Sequence, residues 1–325
     1  MFVPPFFNKT VVNFLGQFSI IRSMSNTSTP RRTLMYVPAS DPRKIKKAET
    51  IEADFIVLDC EDGVSINQKD SARRNIADLL NESPFPCHRP QWGVRVNSVS
   101  SGLCQLDLNM IFAATNKPPS ILLPKVESID EISWFSDAVQ SLNIQNVQMD
   151  FIIYSETAGS LLKLPEITQA AMNTTKGGSL KLVALVLGSD DYIASIGATR
   201  TKSCLEILYA RQRLVMIAKA FDLQAIDMVH IDIKDLDELR RTSLESAAWG
   251  FTGRQVIHPS HVAIVQEAYS PSQSRIDWAS GLVEAFNNHQ QQGKGAFVYA
   301  GQMIDMPTLR QAQNVVNLVN DSIKR

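Results

Sequence analysis

Long apolar runs are missing from the start of this chain of 325 residues, where hydrophobic clusters break at Asn8-Lys9-Thr10, Asn13 and Gly16-Gln17. No stretch there reaches the roughly 20 apolar residues that a membrane-spanning helix needs. An excess of one charge is missing too. The net charge of −1 excludes the broad electrostatic footprint of a general nucleic-acid binder. Cysteine is scarce: Cys60, Cys87, Cys104 and Cys204 show no paired metal spacing and read as reduced thiols. No Gly-x-Gly-x-x-Gly follows the first predicted strand, so a dinucleotide-binding sheet lacks its main support. Acids are absent before Asp41, while Lys9, Arg22, Arg31 and Arg32 sit among Ser, Thr and aromatic residues. A basic, hydroxyl-rich, acid-free leader has the pattern of a mitochondrial transit peptide, and residues 1–30 are assigned to it. A tail without a targeting role is the alternative.

What is present is an ordinary globular composition, 44% hydrophobic and 20% charged. At this length one large α/β domain is well within range. The chain is organised around LVALVLGSDDYIASIGA, residues 182–198. An apolar run from Leu182 to Leu187 stops at Gly188 and is followed by Asp190 and Asp191. A buried parallel strand reads this way. Seven more short apolar runs recur at 34–38, 55–59, 92–96, 120–124, 150–155, 225–231 and 254–258. Amphipathic stretches such as 69–82 and 204–221 separate them. Strands alternating with helices mean βα units, and eight units argue for a closed (β/α)8 barrel over residues 31–270. An open doubly wound sheet is the runner-up. Residues 271–325 come after the eighth unit: a helical stretch (274–293), a Gly-rich turn (295–307) and a last helix. A barrel does not need them. They are read as a C-terminal helical lid extension that Gly293, Gly295 and Gly301 allow to move.

In such folds the chemistry sits at the C-terminal mouths of the strands. Almost every predicted mouth is charged: Arg43 to Lys47 after the first, Asp59, Glu61 and Asp62 after the second, Arg95 after the third, Lys125 and Glu127 after the fourth. Glu156 follows the fifth, Asp190 and Asp191 the sixth, Asp232 the seventh, and His258 and Pro259 the eighth. Stability alone does not favour this density, because unpaired buried charge is costly. Glu156 and Asp191, on neighbouring strands, are a candidate pair for one magnesium ion, which takes one or two carboxylates and keeps waters and substrate oxygens. Arg95 has two readings, a partner for Asp59 or Glu61 and a bidentate clamp on a substrate carboxylate. Lys125 likewise divides between a structural ion pair with Glu127 or Asp62 and a substrate contact. The basic run after strand one is either a solvated helix face or a seat for phosphates, and His258 either a satisfied core histidine or a ligand contact.

The strings YVPASDPRKIKK, VLDCEDGV, VRVNSVSSGL, LPKVES, SETAG, ASIGAT, QAID, GFTGRQVIHP and MIDMP occur in the order found in the citrate-lyase-β-like enzymes. The chain resembles that family over residues 31–325. The resemblance implies a magnesium-dependent (β/α)8 barrel acting on a coenzyme A (CoA) thioester, a homotrimer in the mitochondrial matrix, and cleavage of citramalyl-CoA to acetyl-CoA and pyruvate. By motif position it implies Glu156 and Asp191 as metal ligands. Tyr36, Arg43 and Lys47, with Ile257, His258 and Pro259, match CoA-contacting positions; Arg95 matches the arginine that holds the keto acid. Asp305 matches the catalytic acid carried on the lid and supplied to a neighbouring subunit. Three departures stand out: Ser189-Asp190-Asp191 for Gly-Glu-Asp, Arg43 for a lysine, and Pro38-Ala39-Ser40 for Pro-Gly-Asn. The chemistry is consistent with the residues: a Lewis acid polarises the substrate oxygens, Arg95 orients the carboxylate, and Asp305 acts as general base. Asp305 also reads as an N-cap for the last helix. Two other expectations stay open. One is a malate-synthase-like transferase condensing acetyl-CoA with a 2-oxo acid; the other is a non-catalytic subunit that binds a CoA or carrier-protein thioester.

Overall fold

The computed structural model describes residues 30–86, 90–142, 144, 147–174, 178–291 and 297–323. Residues 1–29 of the leader, Cys87, Gly293 and Gly295 lie outside them. The first half of the barrel runs β1 (Thr33–Pro38), α1 (Pro42–Ala48), β2 (Phe55–Asp59), α2 (Lys69–Glu82), β3 (Gln91–Arg95), α3 (Cys104–Ala113), β4 (Ser120–Leu123) and α4 (Ile129–Ser141). The second half runs β5 (Met149–Ser155), α5 (Ala158–Thr174), β6 (Leu180–Leu187), α6 (Ser189–Ser195), α7 (Leu208–Ala220), β7 (Gln224–Asp227), α8 (Leu236–Ala248), β8 (Gly253–Val256) and α9 (Val262–Ala268). Strands pair in parallel in chain order, and β8 pairs with β1. The result is a closed (β/α)8 barrel.

Two apolar layers follow from strand periodicity, which sends alternate side chains to opposite faces. Phe55 and Val57 of β2 point inward with Leu34, Leu122, Ile152, Val186 and Ile226, filling the barrel. Ile56 and Leu58 point outward and join the helices in the larger core. The seam needs Gly253, because a Cβ there would lie 2.0 Å from the Arg31 carbonyl oxygen. Cys60, Cys104 and Cys204 are buried free thiols.

Two strands end earlier than their apolar runs suggest. β7 stops at Asp227, whose carboxylate turns outward to Arg211 Nη2 (2.5 Å), Arg211 Nε (3.1 Å) and Ser246 Oγ (2.5 Å). The chain then leaves the sheet, and Asp232 sits in the following loop. β8 stops at Val256 because His258 caps a short turn that begins at Pro259, which has no N–H for the ladder. The stretch 204–221 is split as well: Cys204 adopts φ +52°, a 3-10 turn spans Leu205–Ile207, and α7 follows.

Beyond the barrel lie α10 (Gln273–Gln291), a hairpin of β9 (Val298–Tyr299) and β10 (Gln302–Met303), and α11 (Met306–Ile323). Ala300 and Gly301 turn the hairpin with φ +48° and +79°, the signs a tight two-residue turn requires. The unit has its own apolar cluster of Ala279, Leu282, Phe297 and Ala312.

Candidate active site

The loop after β2 folds back on its own acid. Asp59 accepts hydrogen bonds from the Glu61 N–H (2.8 Å) and the Gly63 N–H (2.9 Å), so the string DCEDG turns tightly and keeps Glu61 at the mouth. Arg95, at the end of β3, donates from Nε and Nη2 to Asp59, both at 2.7 Å, and its Nη1 lies 2.9 Å from Glu61. The guanidinium rests over the Tyr36 ring at 4.6 Å. Beneath it, Tyr36 Oη lies 2.5 Å from Tyr154 Oη and donates to Gln255 Oε1 (3.0 Å). The Gln255 amide nitrogen donates to the Leu187 and Asp227 carbonyls. The amide is therefore fixed, and Tyr154 must donate to Tyr36. Both pairing readings of Arg95 are thus realised, with Asp59 and with Glu61. Three of its five N–H groups are engaged, leaving two for a substrate. Burial is the largest single influence and disfavours its charge, but Asp59, Tyr36 and Glu61 together outweigh it and push its pKa well up.

Glu156 follows β5 and is 3% exposed. Gly188, at the end of β6, makes room for it: a Cβ there would sit 2.4 Å from Glu156 Cγ and 2.6 Å from Oε1. Glu156 Oε2 is buried and has no hydrogen-bond partner among the described residues. Burial, with the charges of Glu61 and Asp191 added, pushes its pKa well above the carboxylate range, against Arg95 and Lys125. The two aspartates after β6 separate cleanly. Asp190 is taken by Arg200, whereas Asp191 faces Lys125, 3.3 Å from Nζ. Lys125 pairs with Glu61 (2.8 Å) and Asp62 (3.0 Å), while Glu127 instead accepts from Thr157 (2.7 Å).

A buried carboxylate with an orphan oxygen, facing a second carboxylate, fits a hard divalent cation. No cluster of three or more His, Cys, Asp and Glu among the described residues forms a ligand set. Such an ion would take two carboxylates here and complete its shell from water and substrate, which is the habit of magnesium rather than zinc.

Asp59, Asp62, Arg95, Glu156, Asp190 and Asp191 line one cavity of about 640 Å³ over the barrel mouth. Tyr36, Lys47, Arg95, Glu156, Asp191, Ile257, His258 and Pro259 all face it. His258 is only half-buried, with Nδ1 2.7 Å from Ser260 Oγ, so it is no core histidine. Two of the ten site residues expected from sequence do not line the cavity. Arg43 is 94% exposed and leans toward Asp41 at 3.5 Å, while its neighbour Lys44 lines the wall beside Lys47. Helical spacing places both Arg43 and Lys44 near Lys47, so sequence alone does not choose between them. Asp305 is exposed, immediately before α11, and accepts the Thr308 N–H at 2.8 Å. Hydrogen bonding from Thr308, by its side chain and then its backbone, holds the Asp305 carboxyl below the usual range. Tyr154 and Gln255 were not singled out from sequence, because each reads as an ordinary strand residue.

Comparison with known proteins decides the kinship. Residues 32–259 match the family model described as HpcH/HpaI aldolase/citrate lyase. The chain belongs to the HpcH/HpaI aldolase/citrate lyase family. Within it, mouse (Mus musculus) mitochondrial citramalyl-CoA lyase is 48% identical over 93% of this chain and 90% of its own. The human (Homo sapiens) protein of that name is 49% identical over 91% and 87%. The crystal structure of CitE from Mycobacterium tuberculosis, in complex with magnesium, acetoacetate and coenzyme A, superposes with a TM-score of 0.70 at 28% identity, covering 89% of this chain and 98% of that one. The family match spans the barrel from β1 to Pro259 and ends before the C-terminal unit that carries Asp305.

Proposed function

We propose that this protein is a magnesium-dependent carbon–carbon lyase that cleaves citramalyl-CoA to acetyl-CoA and pyruvate. The observation that carries this reading is the orphaned, buried Glu156 carboxylate opposite Asp191, in a cavity walled by Arg95 on one side and by Lys44 and Lys47 on another. The names of the mouse and human relatives, and the ligands of the mycobacterial CitE, support the same substrate class and metal.

Glu156 and Asp191 hold the ion. When bound, magnesium supplies Lewis-acid polarisation of the substrate hydroxyl and carboxylate oxygens. Arg95 uses its two remaining N–H groups on the keto-acid carboxylate and fixes the carbon to be cleaved. Tyr36, Lys47, Ile257, His258 and Pro259 hold the CoA portion, with Lys44 joining Lys47 at its phosphates. Asp305 removes the hydroxyl proton. The hydroxyl-bearing carbon becomes the carbonyl of pyruvate, the C–C bond breaks, and its electron pair leaves as the thioester enolate. The same carboxyl then returns the proton to the methylene carbon, giving acetyl-CoA without consuming water. Asp305 does not line its own chain's cavity, so a neighbouring copy brings it, in the homotrimer that the family resemblance implies. Residues 271–325 act as the lid that delivers it. The acid-free leader and the mitochondrial relatives support an address in the mitochondrial matrix.

Product analysis tests this reading. With magnesium and citramalyl-CoA, acetyl-CoA and pyruvate are expected in equal amounts. A free dicarboxylate and CoA from acetyl-CoA plus a 2-oxo acid, without cleavage of citramalyl-CoA, would replace the lyase with a synthase. Binding of CoA without either reaction would leave a carrier-binding subunit.

A further inference from the structure

Lys125 stands out at the mouth because its backbone and its side chain point to the same conclusion. It adopts φ +53°, the left-handed region that favours glycine. The chain on its C-terminal side is pinned: the Val126 N–H reaches the Tyr154 carbonyl (3.4 Å), and the Val126 carbonyl accepts from Ser160 Oγ (2.6 Å). A lysine kept in this conformation, where glycine would be easier, is a local cost that the surroundings over-determine. What the conformation achieves is visible in the contacts. Lys125 Nζ reaches Glu61 at 2.8 Å and Asp62 at 3.0 Å on the β2 loop, and Asp191 at 3.3 Å on the β6 loop. One ammonium ties two sides of the mouth together, and the Asp191 oxygen it holds belongs to the carboxylate assigned to the metal.

We infer that Lys125 is a cationic latch that occupies Asp191 in the metal-free site and yields it to the incoming divalent ion, setting the metal affinity from outside the ligand set. This inference rests on the metal reading of Glu156 and Asp191 given above. The electrostatics fix its sign. Lys125 Nζ lies within 3.3 Å of Glu61, Asp62 and Asp191, so its positive charge stands directly against the carboxylate assigned to the metal. Arg95 pairs with Asp59 and Glu61, whereas the ion-pair partner of Asp191 among the described residues is Lys125. Lys125 is partly exposed and shares its proton donors among three acids, so it can release one without being left unpaired. Its charge stays next to the ion after the exchange and opposes it across a few ångströms. Lys125 therefore weakens metal binding and in return keeps Asp191 and Glu61 placed, which makes it a positioning residue rather than a catalytic one.

The test is titration of metal-stripped protein with magnesium, followed by calorimetry, for the wild type, Lys125→Met, Lys125→Gly and Lys125→Arg. The Met and Gly variants should bind magnesium at least about tenfold more tightly, the gain expected on removing a unit charge about 6 Å from a divalent ion even under water-like screening, whereas Arg should stay near the wild type. With citramalyl-CoA, the Met and Gly variants should need less magnesium for half-maximal rate while kcat falls, because Glu61 and Asp191 lose their tether. Gly relieves the backbone and Met does not, so agreement between them assigns the effect to the charge. Unchanged or weaker magnesium binding in both overturns the latch, even if turnover drops. Wild-type protein that binds no magnesium, or binds it equally well after Glu156→Gln, overturns the metal site itself.

Discussion

Gly188 and Glu156 depend on each other in a way that neither reveals alone. Gly188 has φ −83°, which any residue adopts, so backbone freedom does not explain it. Its missing side chain does, since the Glu156 carboxylate fills the space a Cβ would take. Gly188→Ala should therefore fold, because the clash is confined to one side chain, yet displace the carboxylate by about an ångström. Misplacement on that scale costs on the order of 100-fold in rate. A circular-dichroism melt close to wild type together with a kcat/KM loss of that order is the expected result. Unimpaired turnover would show that Glu156 need not sit where it does. A similar dependence governs Asp190 and Asp191. The two acids are adjacent in sequence, and only motif position favours Asp191; the structure adds a physical distinction by pairing Asp190 with Arg200.

Elements differ in how plainly their roles were written in the sequence. The eight apolar runs were legible because burial in a parallel barrel demands continuous aliphatic residues, whatever follows them. Where β7 and β8 end was not legible. Apolar character continues past Asp227 and Val256, and only the contacts of Asp227 with Arg211 and Ser246, and the turn begun by Pro259, stop the ladder. The mouth acids were legible as a group, and so was Asp62 as a partner of Lys125, but its contacts with Glu61 and Asp191 were not, because nothing local in the sequence brings the β4, β2 and β6 loops together. The Arg211–Asp227 pair is fully buried, with the guanidinium stacked over Trp249 at 4.4 Å. Arg211→Ala should lower unfolding stability by about 3–5 kcal/mol in a denaturant titration, because it strands a buried carboxylate. A loss below about 1 kcal/mol, the level of an exposed pair, would contradict that burial. Helix α1 makes a different kind of claim. Lys44 and Lys47 line the cavity and Arg43 does not, so Lys44→Ala and Lys47→Ala should each raise KM for the CoA thioester several-fold more than Arg43→Ala, with the gap shrinking at high salt. Equal effects would mean that Arg43 swings in when substrate binds.

The assembled molecule divides its chemistry between two bodies. In the proposed mechanism the barrel supplies the metal seat, the arginine and the basic wall, and the C-terminal unit, with its own small core, supplies the base. Asp305 is exposed and accepts the Thr308 N–H at the start of α11. If it serves a neighbouring copy, two dead chains can repair each other. Asp305→Asn and Glu156→Gln proteins, each inactive, should regain a fraction of wild-type rate when refolded together, since some sites combine an intact barrel with an intact lid. No recovery from a mixture that demonstrably co-assembles would place the base in its own chain. The most direct measurement is cleavage of citramalyl-CoA by protein lacking residues 1–29, followed by acetyl-CoA and pyruvate release with and without magnesium. Release that requires the metal, is abolished by Glu156→Gln, and is reduced about 100-fold or more by an Asp305→Asn protein that still binds CoA is the expected result. Equal release after the metal is stripped, or full activity in either variant, would contradict the assignment.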